Sequence, residues 1–336
     1  MKQTEYFSLK FQSGKLIFLD QTKLPFTENY VETDDYNRIA EAIERLEIRG
    51  APLIGIAAAY ALALAIKDKD NPKEIFYSAY KRLASTRPTA VNLFAALDEM
   101  KNQFEMVIER DDIYNLMLNK AEEIHKTDEE YCRKIGRHGL NIFKKKSNVL
   151  THCNTGRLAT GGDGTAFNVI KTAFDNGLIN LVYADETRPL LQGSRLTAFE
   201  LDKHGIPFSL QTDSSAAVLL NQNKVDLVVT GADRIALNGD TANKIGTYTL
   251  AILCNFHNIP FYVAAPSTTI DRKILTGDDI TIEYRNKSEI LSLNNQPVTS
   301  KHFETFAPAF DVTPSYLITG IITEEGVFSF PYNFLR

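Results

Sequence analysis

The stretch Asn148–Thr165, NVLTHCNTGRLATGGDGT, decides how the chain is read. It opens as a short apolar strand, breaks into Thr, Asn and Gly, and resumes from Thr165 to Ala173 with the spacing of a helix. In an open parallel sheet the end of a strand is where ligands sit, because the next helix presents unpaired N–H groups there. Cys153 stands at that exit. A thiol near backbone donors can be held partly as thiolate and act as base or nucleophile. Taken alone, the stretch is equally consistent with a buried structural cysteine.

Downstream the rhythm continues. NVLTHC, LINLVYAD, PFSLQTD, VDLVVTGAD, PFYVAAP and YLITGIIT are strand candidates, most of them continuous apolar runs. That pattern predicts a parallel sheet covered on both faces. No GxGxxG follows the first strand, so a dinucleotide cofactor is not indicated, and Gly161-Gly162-Asp163-Gly164 lacks the Lys-Ser/Thr of a nucleotide P-loop. Polar residues gather at the strand exits: Asp185-Glu186-Thr187-Arg188, Gln192, Asp213-Ser214-Ser215, Asp233, Asn243-Lys244 and Ser267. Exits of one parallel sheet share a crevice, so Cys153 and Asp233 are expected at nearby strand ends. A carboxyl in a partly apolar pocket suits a general acid, and a thiolate can move a carbon-bound proton. Gln192, Asn243 and Lys244 are positioning candidates. Asp185 and Asp240 read equally as sugar-hydroxyl ligands or helix caps. His152, next to Cys153 in the strand, is expected to point to the opposite face, which disfavours a Cys/His hydrolase pair.

Upstream, residues 4–19 predict a small antiparallel hairpin turned at Ser13-Gly14. Thr33-Asp34 is placed to cap a helix from Tyr36 to Glu47 with an Ile39, Ala42, Ile43, Leu46 stripe. The chain breaks at Arg49-Gly50-Ala51-Pro52, and Ser85-Thr86-Arg87-Pro88-Thr89-Ala90 repeats the pattern, an arginine at a loop-to-helix junction. Each can be a local salt bridge; together they point to an anionic substrate held by guanidinium and helix N–H groups. Asp111–Phe143 reads as helical, with His125, Cys132 and His138 in structural roles and Lys144-Lys145-Lys146 at its end. The reading is an α/β chain: a mainly helical N-terminal domain with a small antiparallel sheet (1–145) and a Rossmann-like parallel-sheet catalytic domain (146–336).

Composition narrows the function. With 336 residues and 44% hydrophobic content the chain can build two cores. A net charge of −5 without a dense basic block gives no steering to nucleic acid or anionic membranes. Cys132, Cys153 and Cys254 lack metal-ligand spacing, and no signal-like leader is evident; a reducing cytoplasm is expected and a zinc site is not. Pro52–Ile66, the longest apolar run, is too short to span a bilayer and predicts a buried helix.

The segments RGAPLIGIAAAY (49–60), STRPTAVNL (85–93), THCNTGRLATGGDGTA (151–166), DETRPLLQGSRLTAFEL (185–201), GADRIALNGDTANKIGTY (231–248) and IPFYVAAPSTTID (259–271) occur together in this order. In them the chain closely resembles the 5-methylthioribose-1-phosphate isomerases, aldose-ketose isomerases of methionine salvage. APAFDVTP (307–314) also resembles the family pattern, with Ala307 where Asn is usual. The resemblance implies a homodimer without cofactor or metal. It implies catalysis by Cys153 and Asp233, and a sugar 1-phosphate bound by Arg49, Gly50, Ala51, Arg87, Gln192, Asn243 and Lys244. Ribose-1,5-bisphosphate and 5-deoxyribose-1-phosphate isomerases are alternatives of the same class. The non-enzyme alternative is a regulatory assembly subunit of the translation initiation exchange factor.

Overall fold

A computed structural model describes residues 6–293, 296–332 and 334. The chain forms two compact units, one comprising the chain up to Lys134 with Thr155–Asn168, the other Ile135–Asn154 with the chain from Val169.

In the first unit, strands β1 (Leu9–Gln12) and β2 (Lys15–Leu19) pair antiparallel, and β3 (Tyr30–Thr33) adds beside β2. Ser13 and Gly14 both take positive φ, 53° and 73°, which is what a two-residue hairpin turn requires. Helix α1 (Tyr36–Glu44) ends three residues before the predicted Glu47, because Leu46 turns left-handed at φ 61°. Its cap is Asp35, whose carboxylate accepts the Asn37 N–H at 2.9 Å, while Thr33 caps the preceding turn. Helix α2 (Ala51–Ala65) is buried from Leu53 onward, as an apolar helix without a polar face must be. Helices α3 (Pro72–Ala84) and α4 (Val91–Val107) complete the layer, joined by Phe76 stacked on Phe104 with centroids 3.9 Å apart. A Cβ on Gly55 would lie 2.7 Å from the Asn92 carbonyl oxygen, so glycine here lets α2 and α4 meet near their starts. Helix α5 (Ile113–Gly139) follows.

The second unit is built on a seven-stranded sheet. Its strands are β4 (Ser147–Thr151), β5 (Ile179–Asp185), β6 (Phe208–Gln211), β7 (Leu227–Thr230), β10 (Phe261–Ala264), β14 (Gly320–Thr323) and β15 (Gly326–Ser329). Their order is β15-β14-β10-β7-β4-β5-β6, and every pairing is parallel except β14 with β15. All six predicted strands lie in it. The helices between them are α6 (Ala166–Asp175), α7 (Ala198–Lys203), α8 (Ala216–Asn221) and α9 (Thr247–His257). A short helix, α10 (Ser288–Leu291), precedes the two-residue hairpin strands β11 (Ser292–Leu293) and β12 (Gln296–Pro297). A second, antiparallel sheet, absent from the sequence reading, joins β8 (Arg234–Ile235), β9 (Thr241–Lys244) and β13 (Phe310–Thr313).

Candidate functional site

In the first unit the two arginine junctions fall at the starts of α2 and α4, which Gly55 brings side by side. Gly50 sits at φ 96° directly before α2, with no side chain capping the helix end. A Cβ there would lie 2.4 Å from the Ala159 Cα, so the RGA turn presses backbone to backbone against the glycine-rich loop. That loop is pinned from several sides. Gln21 Nε2 donates to the Leu158 carbonyl at 2.7 Å, and Gly161 N–H donates to the Asp128 carboxylate at 2.6 Å. Tyr60 and His125 meet at 3.2 Å, with His125 Nε2 3.3 Å from the Gly161 carbonyl. His125 is thus a tether for the loop, and Cys132 is buried beneath it. Arg49, Gly50 and Ala51 are half-buried, as is Arg87.

In the second unit Cys153 leaves β4 with φ 63°, in the left-handed region that a non-glycine residue enters only when its surroundings hold it there. The holding groups are visible. The Cys153 N–H donates to the Thr187 hydroxyl at 2.9 Å, and the Thr197 hydroxyl donates to the Cys153 carbonyl at 2.6 Å. Thr187 and Leu191 share the same unusual conformation, at 63° and 57°. Asp213 accepts the N–H groups of Thr187 and Arg188, both at 2.7 Å. Gly193, where a Cβ would fall 1.6 Å from the Asp185 carbonyl oxygen, lets the Gln192 turn fold back onto the end of β5. A π-helical turn, Gly193–Thr197, then leads into α7. The Gln192 amide is buried, and its Oε1 has no hydrogen-bond partner among the described residues. An oxygen in that condition is ready for a ligand hydroxyl.

The antiparallel sheet carries the remaining candidates. Asp233, half-buried, donates its N–H to the Ala242 carbonyl at 2.9 Å, and β8 runs beside β9 with Arg234 opposite Ala242. Asp233 and Asn243 are therefore neighbours. Asn243 donates to the Thr247 hydroxyl at 3.0 Å. Lys244 is buried, donates Nζ to the Ala309 carbonyl at 2.9 Å and lies 4.4 Å from the Phe310 ring centroid. Asp311, opposite Asn243 in β13, receives the Gly246 and Tyr248 N–H groups at the start of α9; burial keeps its carboxyl above the ordinary range despite those bonds.

His152 joins these groups. Nδ1 lies 2.9 Å from the Asp185 carboxylate and Nε2 lies 2.9 Å from the Ile245 carbonyl, so both nitrogens are engaged and neither faces the thiol as a base. Burial would lower the imidazole pKa, but the Asp185 bond and charge outweigh it and the net direction is up. Burial raises Asp185 as well, opposed by His152 and Gln211. His152, Asp185 and Asp213 form a compact His/carboxylate group, but His152 and Asp213 already use their ligand atoms in the bonds named above, and the set does not read as a metal site. Asp240 caps two short turns through the Gly277 and Ser315 N–H groups, and no sugar role is needed to explain it. The sequence names Cys153, Asp233 and Gln192, and Thr187 among the strand-exit residues, but not Thr197 or Asp311. Both lie inside quoted motifs, Thr197 in 185–201 and Asp311 in 307–314, and that is the one signal that could have found them.

The Initiation factor 2 subunit family model matches residues 47–330. The methylthioribose-1-phosphate isomerase of Caldicellulosiruptor saccharolyticus is 49% identical over 329 residues, covering 96% of each chain. The crystal structure of 5-methylthioribose 1-phosphate isomerase from Pyrococcus horikoshii superposes with a TM-score of 0.91 at 38% identity, covering 98% of this chain and 94% of that one. A structure described as translation initiation factor eIF-2B, subunit delta, from A. fulgidus gives 0.86 at 40% identity, covering 98% and 97%. With this identity along its whole length, and with an arginine-flanked helix pair and a constrained cysteine at a strand exit, the chain belongs to the methylthioribose-1-phosphate isomerases within the Initiation factor 2 subunit family.

Proposed function

We propose that the chain converts 5-methylthioribose 1-phosphate into 5-methylthioribulose 1-phosphate, the aldose-ketose step of methionine salvage. The observation that carries the reading is Cys153, held left-handed by Thr187 and Thr197 at the end of a parallel strand, where a reacting carbon can be presented to its thiol. The chemistry needs such a group. Phosphate on the anomeric oxygen locks the furanose as an acetal, so no free aldehyde is available to enolise. Asp233 protonates the ring oxygen as the C1–ring-oxygen bond breaks. The Cys153 thiolate takes the proton from carbon 2, giving an enol phosphate, and returns it to carbon 1. A carboxylate takes the 2-hydroxyl proton as the carbonyl forms, so atoms and charge balance. Arg49, Arg87 and the N–H groups at Gly50 and Ala51 hold the phosphate against loss, and Gln192, Asn243 and Lys244 orient the sugar.

The protein works as a homodimer in the cytoplasm. Supporting the dimer, Tyr248, Ile252 and Phe256 stand one turn apart on α9 and are 37%, 44% and 77% exposed, an apolar stripe of the kind that a second subunit covers. Cys132, Cys153 and Cys254 are all buried, with no disulfide among the described residues, which supports a reducing compartment. No helix among the described residues is long and apolar enough to cross a membrane.

The test is a phosphorus and proton NMR time course with 5-methylthioribose 1-phosphate, 5-deoxyribose 1-phosphate and ribose 1,5-bisphosphate in parallel. Conversion of the first into its ribulose phosphate is expected. Preference for another sugar would reassign the substrate. The similarity to the chain described as eIF-2B subunit delta favours a second reading, an assembly subunit; no conversion of any sugar, with a mass dependent on added partners, would select it.

A further inference from the structure

The mechanism leaves one buried group unused. The Ile245 carbonyl facing His152 Nε2 has no proton to give, so Nε2 must carry its hydrogen and donate it. One further proton then lies between His152 Nδ1 and the Asp185 carboxylate, 2.9 Å apart, and both side chains are 1% exposed. The other Asp185 oxygen accepts from Gln211 Nε2 at 2.7 Å. Asp185 also reaches Cys153 by a second route: its carbonyl accepts the Thr187 hydroxyl at 3.1 Å, and that hydroxyl oxygen accepts the Cys153 N–H. The residues on both sides of the peptide link between His152 and Cys153 are therefore tied to a single aspartate, His152 through the side chain and Cys153 through Thr187. At its far nitrogen His152 grips the residue that follows Asn243-Lys244, and a Cβ on Gly246 would already lie 3.0 Å from the ring.

We propose that His152 is a positioning residue of the reaction, a buried brace between Asp185 and the Ile245 carbonyl that holds the Cys153 thiol in register with the Asn243-Lys244 segment. This rests on the isomerase reading above. The charged groups facing the ring are Asp185 from β5, Asp213 beyond β6 and Asp311 from β13. The brace works through its hydrogen bonds, which sets it apart from an electrostatic role.

Two variants separate the possibilities. Asp185→Asn keeps every bond: its oxygen accepts from Gln211 and its amide donates to a neutral His152 at Nδ1, while the carboxylate charge is gone. His152→Gln keeps a donor toward Ile245 but surrenders the Asp185 contact. His152→Gln is expected to lower kcat about 100-fold with KM within about 3-fold, the scale of a displaced reacting group. Asp185→Asn is expected to stay within about 3-fold of the parent in both constants. Parent-like kcat in His152→Gln, or a loss in Asp185→Asn as large as in His152→Gln, overturns the proposal. If His152→Gln does not fold, Asp185→Leu takes its place, because it breaks the bond to His152 Nδ1. A kcat loss of about 100-fold beside a retained Asp185→Asn supports the brace, and parent-like kcat in Asp185→Leu removes it. The rate of iodoacetamide labelling at Cys153, followed by peptide mass, reads the same displacement without substrate. A parent protein that turns over no sugar phosphate would defeat the isomerase reading, whereas unchanged labelling in His152→Gln would defeat the brace.

Discussion

Cys153 occupies a conformation that costs roughly 1–3 kcal/mol for a residue with a side chain, and Thr187 and Leu191 carry the same strain nearby. Hydrogen bonds to the Cys153 N–H and carbonyl offset that cost, so the strain serves to fix where the thiol points. Asp233→Asn should lower kcat about 1000-fold with little change in KM, as expected for loss of an acid that acts only at the ring-opening step; steady-state kinetics checks it. Gly50→Ala should lower stability by about 3 kcal/mol, because φ 96° and a Cβ 2.4 Å from Ala159 leave no room to relax. Chemical denaturation measures it. Cys153 is legible in the sequence because a strand ending in a polar break exposes its last residue. The bonds that hold it are not, since Thr187 and Thr197 lie 34 and 44 residues away and nothing local marks the pairing.

Among the elements, those set by local physics are readable. Continuous apolar runs announce most of the six parallel strands, β6 with its Phe-Ser-Leu-Gln being the exception, and the Ser13-Gly14 turn announces the hairpin. Strand β9, Thr-Ala-Asn-Lys, carries a single β-branched residue and two polar ones, so no strand pattern marks it; its partner β13 lies 66 to 72 residues on and supplies the pairing. That element carries Asn243 and Lys244, which is why a motif could name them and only the fold could place them. The α2–α4 contact has its own expectation. Gly55→Val should push α4 from α2 at the Asn92 carbonyl, separate the two arginine junctions and raise KM about 10-fold more than it lowers kcat. Equal effects on both constants would contradict that role.

For the whole molecule, pH and assembly give separate handles. Burial holds the His125 pKa below its ordinary 6.5, so the unfolded chain takes up a proton that the folded one refuses. Its contribution to stability is complete above 6.5 and falls as pH drops through the folded value; replacing His125 with Gln should flatten that limb in thermal melts. Ile252→Glu with Phe256→Glu should convert the proposed dimer to a monomer, read by light scattering. The central claim, that Cys153 moves the proton at carbon 2, is tested most directly by Cys153→Ser. Titration calorimetry with 5-methylthioribose 1-phosphate should give a Kd within about 3-fold of the parent while turnover falls about 1000-fold or more, since serine keeps the shape of the side chain and loses the thiolate. Undiminished turnover in a variant that binds normally would contradict the account.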